Sequence, residues 1–256
     1  MNSITADWPP TTIEVVEGDP FNVRRIFCVG RNYAAHAREM GHDPDRELPF
    51  FFMKPFDAIV ASGSLIPYPS STKELHHEIE LVVALKSGGS NIEEELANDC
   101  IYGYAVGLDM TRRDLQNEAK KLGRPWDMAK GFDNSAPCAP IHKIENVGNI
   151  KDAVIQLSIN GQIRQKSIVN HLIWSVPETI CYLSKLVELK PGDLICNLGD
   201  VHIYKNHIEQ CKEQLSRDPY KLPTIELSNV NILNGEFDYK IIGYESHERI
   251  KGELSN

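Results

Sequence analysis

The chain has 256 residues, 41% apolar and 25% charged, which suits one large globular domain or two small ones and excludes disorder, collagen and coiled coil as overall descriptions. Lys and Arg number 27 against 36 Asp and Glu, a net charge of -9, so a nucleic-acid partner is disfavoured because phosphate contacts need clustered positive charge. No apolar run approaches the roughly 20 residues of a membrane helix.

Residues 1–20 are rich in Pro, Thr and acids and read as a mobile lead-in with one strand over 12–16. The opening MNSITADWPP has neither a basic nor an apolar region, so no secretory signal is expected. RRIFCVG, residues 24–30, predicts a short buried strand running into a helical stretch that Gly41 closes. HDPDREL is a loop by composition, and PFFFMKP and DAIVAS are strand-like segments parted by proline. HHEIELVVAL, residues 76–85, is the strongest strand, alternating at first and then continuously apolar. A second buried strand is expected over 101–111. A helix follows over 112–123, with Thr111 as N-cap and Gly123 as stop. AVIQLSINGQIRQK predicts a hairpin turning at Asn160 and Gly161. SVPETICYLSKLV predicts a helix with a capping box from Ser175 to Glu178. LKPGDLI is a turn and a strand, and a further helix is expected over 204–215. Six scattered cysteines without CxxC spacing read as free thiols in a reducing cytoplasm.

Glu78 and Glu80 are two residues apart on a strand, so both side chains share one face. Side by side they need a cation, a shared proton or open water. Asp109 ends the next strong strand, and three converging carboxylates make an oxygen site for Mg²⁺ or Mn²⁺, with Ca²⁺ also suited. The plainer alternative is a solvated sheet face and an ordinary turn. His36 and Glu39, and likewise Arg113 and Gln116, are spaced to touch on a helix. Solvated helix surface accounts for either pair equally well by spacing alone.

The blocks VGRNYAAHAREMG, FFFMKP, HHEIELVVAL, GLDMTRRDLQ, GRPWDMAKGFD and SVPETICYLSKLVELKPGDLI lie in order between about residues 23 and 195. Together they resemble the fumarylacetoacetate hydrolase family, in its branch of acylpyruvases, fumarylpyruvate hydrolases and oxaloacetate decarboxylases. The resemblance implies an α+β fold built on a mixed β-roll, usually homodimeric. It implies Mg²⁺ or Mn²⁺ on Glu78, Glu80 and Asp109, and a small 2-oxo or 2,4-diketo acid as substrate. It makes His36 and Glu39 a water-activating dyad, Arg113 and Gln116 contacts to the substrate's carboxylate and keto oxygen, and Lys130 a lysine facing the substrate. The implied reaction is hydrolysis of a carbon–carbon bond in a 2,4-diketo acid, with oxaloacetate decarboxylation as a related outcome.

After LKPGDLI the family's TGTPxGVG-like turn and closing strands do not follow. CNLGDVHIYKNHIEQCKEQLSRDPYKLPTIEL and the ending FDYKIIGYESHERIKGEL resemble instead the C-terminal segment of thymidylate synthase, over about residues 189–254. There His202 and Tyr204 would correspond to contacts with a nucleotide sugar, but the nucleophile, the phosphate-binding arginines and the pyrimidine-binding asparagine block of that enzyme have no counterpart. The expected organisation is a lead-in over 1–22, a catalytic domain over 23–195 and a distinct tail over 196–256. Packing is expected to suffer at residues 195–197, where the two patterns meet. Besides the hydrolase, the sequence allows a catalytically impaired protein that binds metal and α-keto acid, and a dUMP-binding fragment.

Overall fold

Every residue of the central strand, Ile79–Leu85, is buried because both faces of its sheet are covered. The computed structural model describes residues 9–30, 32, 48–197, 213 and 216–217, with the backbone of 198, 224–231 and 236–242. Apart from residues 32 and 213, the segments expected as helices over 31–41 and 204–215 lie outside these residues. So do His36, Glu39, His202 and Tyr204.

The strands in chain order are β1 (Thr12–Ile13), β2 (Phe21–Asn22), β3 (Arg25–Gly30), β4 (Phe50–Lys54), β5 (Ile59–Ala61), β6 (Leu75–His76) and β7 (Ile79–Leu85). Next come β8 (Ile101–Leu108), β9 (Thr111–Arg112), β10 (Ala136–Cys138), β11 (His142–Lys143), β12 (Val154–Ile159), β13 (Gln162–Ile168) and β14 (Asp193–Leu198). The main sheet has eight strands in the order β4-β3-β14-β7-β8-β10-β5, with β11 beside β8. β14 is parallel to β3 and β10 to β5, and the other neighbours are antiparallel. With its flanking helices the architecture is α+β on a mixed sheet.

Strand alternation sorts the interior into two cores. Ile79, Leu81, Val83 and Leu85 pack on one face with Phe27, Ile195, and Ile180 and Leu183 of the helix Val176–Leu186. Val82 and Ala84 point the other way, among Ile26, Cys28, Ala105, Cys138, Leu194 and Cys196. By the same alternation Glu78 and Glu80 belong to this second face, whose small residues leave room for them.

Local signals account for the supporting elements. Ser175 and Glu178 form the reciprocal capping box at the start of Val176–Leu186. Asn160 and Gly161 both have positive φ, 51° and 76°, as a two-residue hairpin turn between β12 and β13 requires. The helix Arg113–Leu122 ends at left-handed Gly123 as expected, but its start differs. Thr111 does not cap it. That residue pairs in β9, and its hydroxyl is engaged by Asp109 and Lys130 instead.

The mobile lead-in is also corrected over residues 9–22. β1 pairs with β2, Val15 bridges to Ile141, and Ile13 and Val15 are buried in the second core. The strand expected over 12–16 appears as β1 and the Val15 bridge, and alternation turns Ile13 and Val15 inward as anchors. Nor do residues 195–197 form a misfit. They lie in β14, hydrogen-bonded to β3 on one side and β7 on the other.

Asp193 locks β14 in place. Its fully buried carboxylate accepts from Arg25 Nε at 3.0 Å and Nη2 at 2.7 Å, from Arg24 Nη1 at 3.1 Å and from the Lys190 N–H at 2.9 Å. Asp193→Ala leaves these donors without their anion and costs about 3 kcal/mol. The expected result is a lower urea midpoint with an unchanged slope.

The chain divides into two compact units between His202 and Ile203. In the second, β15 (Thr224–Asn231) and β16 (Glu236–Ile242) form an antiparallel pair, irregular between Ser228 and Asn231. Among the described residues no helix is long and apolar enough to cross a membrane.

Candidate functional site

Glu78 and Glu80 stand at the start of β7, and Asp109 follows the end of β8, its antiparallel neighbour. The Asp109 N–H donates to the Glu78 carbonyl at 2.8 Å, so pairing continues past the strand ends and fixes both backbones. From β13, Gln165 accepts from the Ile79 N–H at 3.0 Å and donates to the His77 carbonyl at 3.1 Å. One side chain thereby clamps the peptides on both sides of Glu78. Glu78, Glu80 and Asp109 are all buried, and each offers a carboxylate oxygen within 4.8 Å of the other two.

Buried cations compensate most of this charge. Lys130 Nζ donates to Glu78 Oε2 at 2.7 Å, to Asp109 Oδ2 at 2.5 Å and to Thr111 Oγ1 at 2.7 Å. Lys54 Nζ pairs with Asp109 Oδ1 at 2.7 Å and donates to the Met110 and Lys130 carbonyls. Arg113 Nη2 donates to Glu78 Oε1, Nη1 to Gln116 Oε1 at 2.7 Å, and Nε to His76 Nδ1 at 3.3 Å. Burial opposes the Lys130 charge, but the Asp109 and Glu78 carboxylates together outweigh it and hold the ammonium above the usual lysine range.

Glu80 is the exception. It is 1% exposed, and its Oε1 has no hydrogen-bond partner among the described residues. Burial pushes its carboxyl well above the ordinary carboxylate range. Cys28, Asp109 and Glu78 act in the same direction, and Lys130 opposes them. An orphaned buried carboxylate oxygen beside two further carboxylates is a donor set that fits a hard divalent cation. Glu78, Glu80 and Asp109 are the residues able to hold it.

Of the residues singled out from sequence, the structure gathers Glu78, Glu80, Asp109, Lys130, Arg113 and Gln116 into one buried cluster. Lys54, Thr111 and Gln165 join them and were not foreseen. Lys54 had a readable signal, a lysine closing the apolar strand of FFFMKP, where alternation turns it inward. Gln165 had none, because only the tertiary placement of β13 brings it to β7.

Residues 25–197 match the family described as fumarylacetoacetate (FAA) hydrolase C-terminal. The mitochondrial oxaloacetate tautomerase FAHD1 of Bos taurus is 42% identical over 175 residues, covering 67% of this chain and 77% of that protein. The mitochondrial oxaloacetate decarboxylase of Dictyostelium discoideum is 40% identical over 176 residues, covering 67% and 79%. The crystal structure of fumarylpyruvate hydrolase from Pseudomonas aeruginosa, in complex with Mn²⁺ and pyruvate, is 49% identical with a TM-score of 0.73, covering 80% of this chain and 91% of that one.

Proposed function

Because the chain belongs to the fumarylacetoacetate hydrolase family, we propose that it is a divalent-metal-dependent enzyme that hydrolyses a carbon–carbon bond in a 2,4-diketo acid of the fumarylpyruvate class. The observation that carries this reading is the buried cluster of Glu78, Glu80 and Asp109 with its orphaned Glu80 oxygen. Mn²⁺ and pyruvate in a fumarylpyruvate hydrolase 49% identical to this chain support Mn²⁺ or Mg²⁺ as the ion and a pyruvate-bearing substrate. When bound, such an ion supplies Lewis-acid polarisation of the substrate's oxygens.

The chain's own groups supply the rest. Arg113 and Gln116 are held against each other beside Glu78 and offer a guanidinium and an amide to the substrate's carboxylate and keto oxygen. Lys130 holds positive charge against the negative charge that develops as pyruvate leaves. In this reading His36 and Glu39 serve as the dyad that takes a proton from the attacking water. The water's hydroxyl completes a carboxylic acid on the acyl fragment, and its proton goes to the departing pyruvate carbon.

A second reading, decarboxylation or tautomerisation of oxaloacetate, is favoured by relatives at 40–42% identity that carry those names. It uses the same 2-oxo-acid contacts without an attacking water. The test is an ultraviolet assay of an acylpyruvate and of oxaloacetate, each with Mn²⁺, Mg²⁺ or EDTA. Metal-dependent loss of the acylpyruvate is expected. Turnover of oxaloacetate alone would replace the first reading with the second. A metal-dependent rise in melting temperature without turnover of either would leave an impaired α-keto-acid-binding protein. This reading takes the working form as a homodimer in the cytoplasm. It assigns no activity to the thymidylate-synthase-like tail or to His202 and Tyr204.

A further inference from the structure

We propose that Cys28, Cys196 and Glu80 form a second metal site, selective for a thiophilic divalent ion such as Zn²⁺ or Cd²⁺. The inference rests on two cysteines of the second core and on Glu80, the one residue it has in common with the activity proposed above.

Cys28 on β3 and Cys196 on β14 are register partners in a parallel pair. Their side chains therefore leave the same face of the sheet side by side. Glu80 leaves that face from β7, the next strand. The two sulfurs and a Glu80 carboxylate oxygen all lie within 4.8 Å of one another, and all three residues are buried.

Gly107 makes the space. It is the β8 partner of Glu80 on one side and of Cys138 on the other. A Cβ at this position would meet Val82 Cγ2 at 2.7 Å, so a side chain does not fit. A small cavity of about 10 Å³ lies here, lined by Cys28, Cys138, Cys196, Glu80 and Val82 among others. That volume corresponds to about one water-sized sphere, enough for an ion and not for an organic ligand. The Glu80 side chain that lines it is the one whose Oε1 lacks a hydrogen-bond partner among the described residues. An enclosing set of donors, a space of one-ion size and an unsatisfied carboxylate oxygen thus coincide.

The donor chemistry selects the ion. Two sulfurs and one oxygen suit zinc and its softer congeners, whereas Mg²⁺ prefers oxygen alone. Bonds of about 2.3 Å to sulfur and about 2.1 Å to oxygen bring the donors of a tetrahedral ion within roughly 4 Å of one another. The present spacing reaches that with a small contraction. Each thiol gives up its proton as the ion enters. The site shares only Glu80 with the carboxylate cluster.

The test is titration of the reduced, metal-free, full-length protein with Cd²⁺, followed by thiolate-to-cadmium charge-transfer absorption in the ultraviolet. A saturable band at one Cd²⁺ per chain is expected. Cys196→Ala should abolish the saturable band. Cys100→Ala, in the opposite core, should leave it intact. Glu80→Gln should keep the band but weaken binding at least about tenfold, which serves if Cys196→Ala does not fold. No band at millimolar Cd²⁺ in folded protein with intact thiols would overturn the proposal. So would a band of full intensity in folded Cys196→Ala.

Discussion

Glu80→Gln is expected to raise the melting temperature of the metal-free protein and to remove most of its stabilisation by Mn²⁺. In the wild type this carboxylate is buried beside Glu78 and Asp109, and Oε1 has no hydrogen-bond partner among the described residues. A buried unsatisfied polar group costs about 1–3 kcal/mol, more when charged. Gln keeps the shape and removes the charge. About 2 kcal/mol corresponds to roughly 6 °C in a domain of this size. A tightly bound ion acts oppositely, stabilising in proportion to the logarithm of its concentration over its dissociation constant. The variant should therefore melt higher than wild type in EDTA and lower in excess Mn²⁺, with turnover reduced about a thousandfold, because a ligand is lost from a Lewis-acid site. The pH dependence carries its own sign. Burial, with Cys28 and Asp109 behind it, raises the Glu80 carboxyl above 4.5 in the folded state. The folded protein then binds that proton more tightly than the unfolded chain, so the contribution of Glu80 to stability falls as pH rises from about 4.5 through its folded value. Calorimetry in EDTA across this range should show that fall in wild type and not in Glu80→Gln. A variant that melts lower than wild type without metal would contradict the argument.

Lys130→Met is expected to do the reverse. The Lys130 ammonium makes three buried polar contacts, two of them to Glu78 and Asp109. Methionine fills similar space and leaves two carboxylates facing each other without it. Breaking a buried pair from one side costs about 3–5 kcal/mol, roughly 10 °C in melting temperature. Mn²⁺ should recover part of this loss, because a divalent ion neutralises the same two carboxylates. The raised lysine pKa fixes the pH window. Its stabilisation is complete below the ordinary value of 10.5 and fades only as pH climbs through the higher folded value. The deficit of Lys130→Met should consequently be flat across neutral pH. Combined with Glu80→Gln it should be smaller than in the single variant, since relieving one negative charge lessens the need for the cation. An additive double variant would show that the two residues do not share one electrostatic cluster.

These signs were only partly legible in the sequence. Period-two spacing put Glu78 and Glu80 on one face, and antiparallel pairing brings Asp109 to them. The capping box at Ser175 and the Asn160–Gly161 turn are local chemistry and hold as read. What escaped was non-local. Thr111 looked like a helix cap because local rules favour it there, but a buried lysine and an aspartate backbone compete for its hydroxyl and win. A strand was expected over 12–16, but the bridge from Val15 to Ile141 was not legible, because that partner is far along the chain. Gln165 became visible only when a hairpin was laid against β7. The chemical residue types could be read from the string, whereas their compensating charges required the fold.

The position of β14 also bears on how the protein is made. β3 and β7 belong to the same sheet, yet each hydrogen-bonds to β14 and not to the other. A ribosome must therefore finish Asp193–Leu198 before the two halves of the sheet can join. Until then β3 and β7 present open backbone edges, the kind of surface that recruits strands from neighbouring chains. A nascent or prematurely terminated chain ending ahead of Asp193 should depend on chaperones for solubility, while one extending beyond Leu198 can close the gap itself.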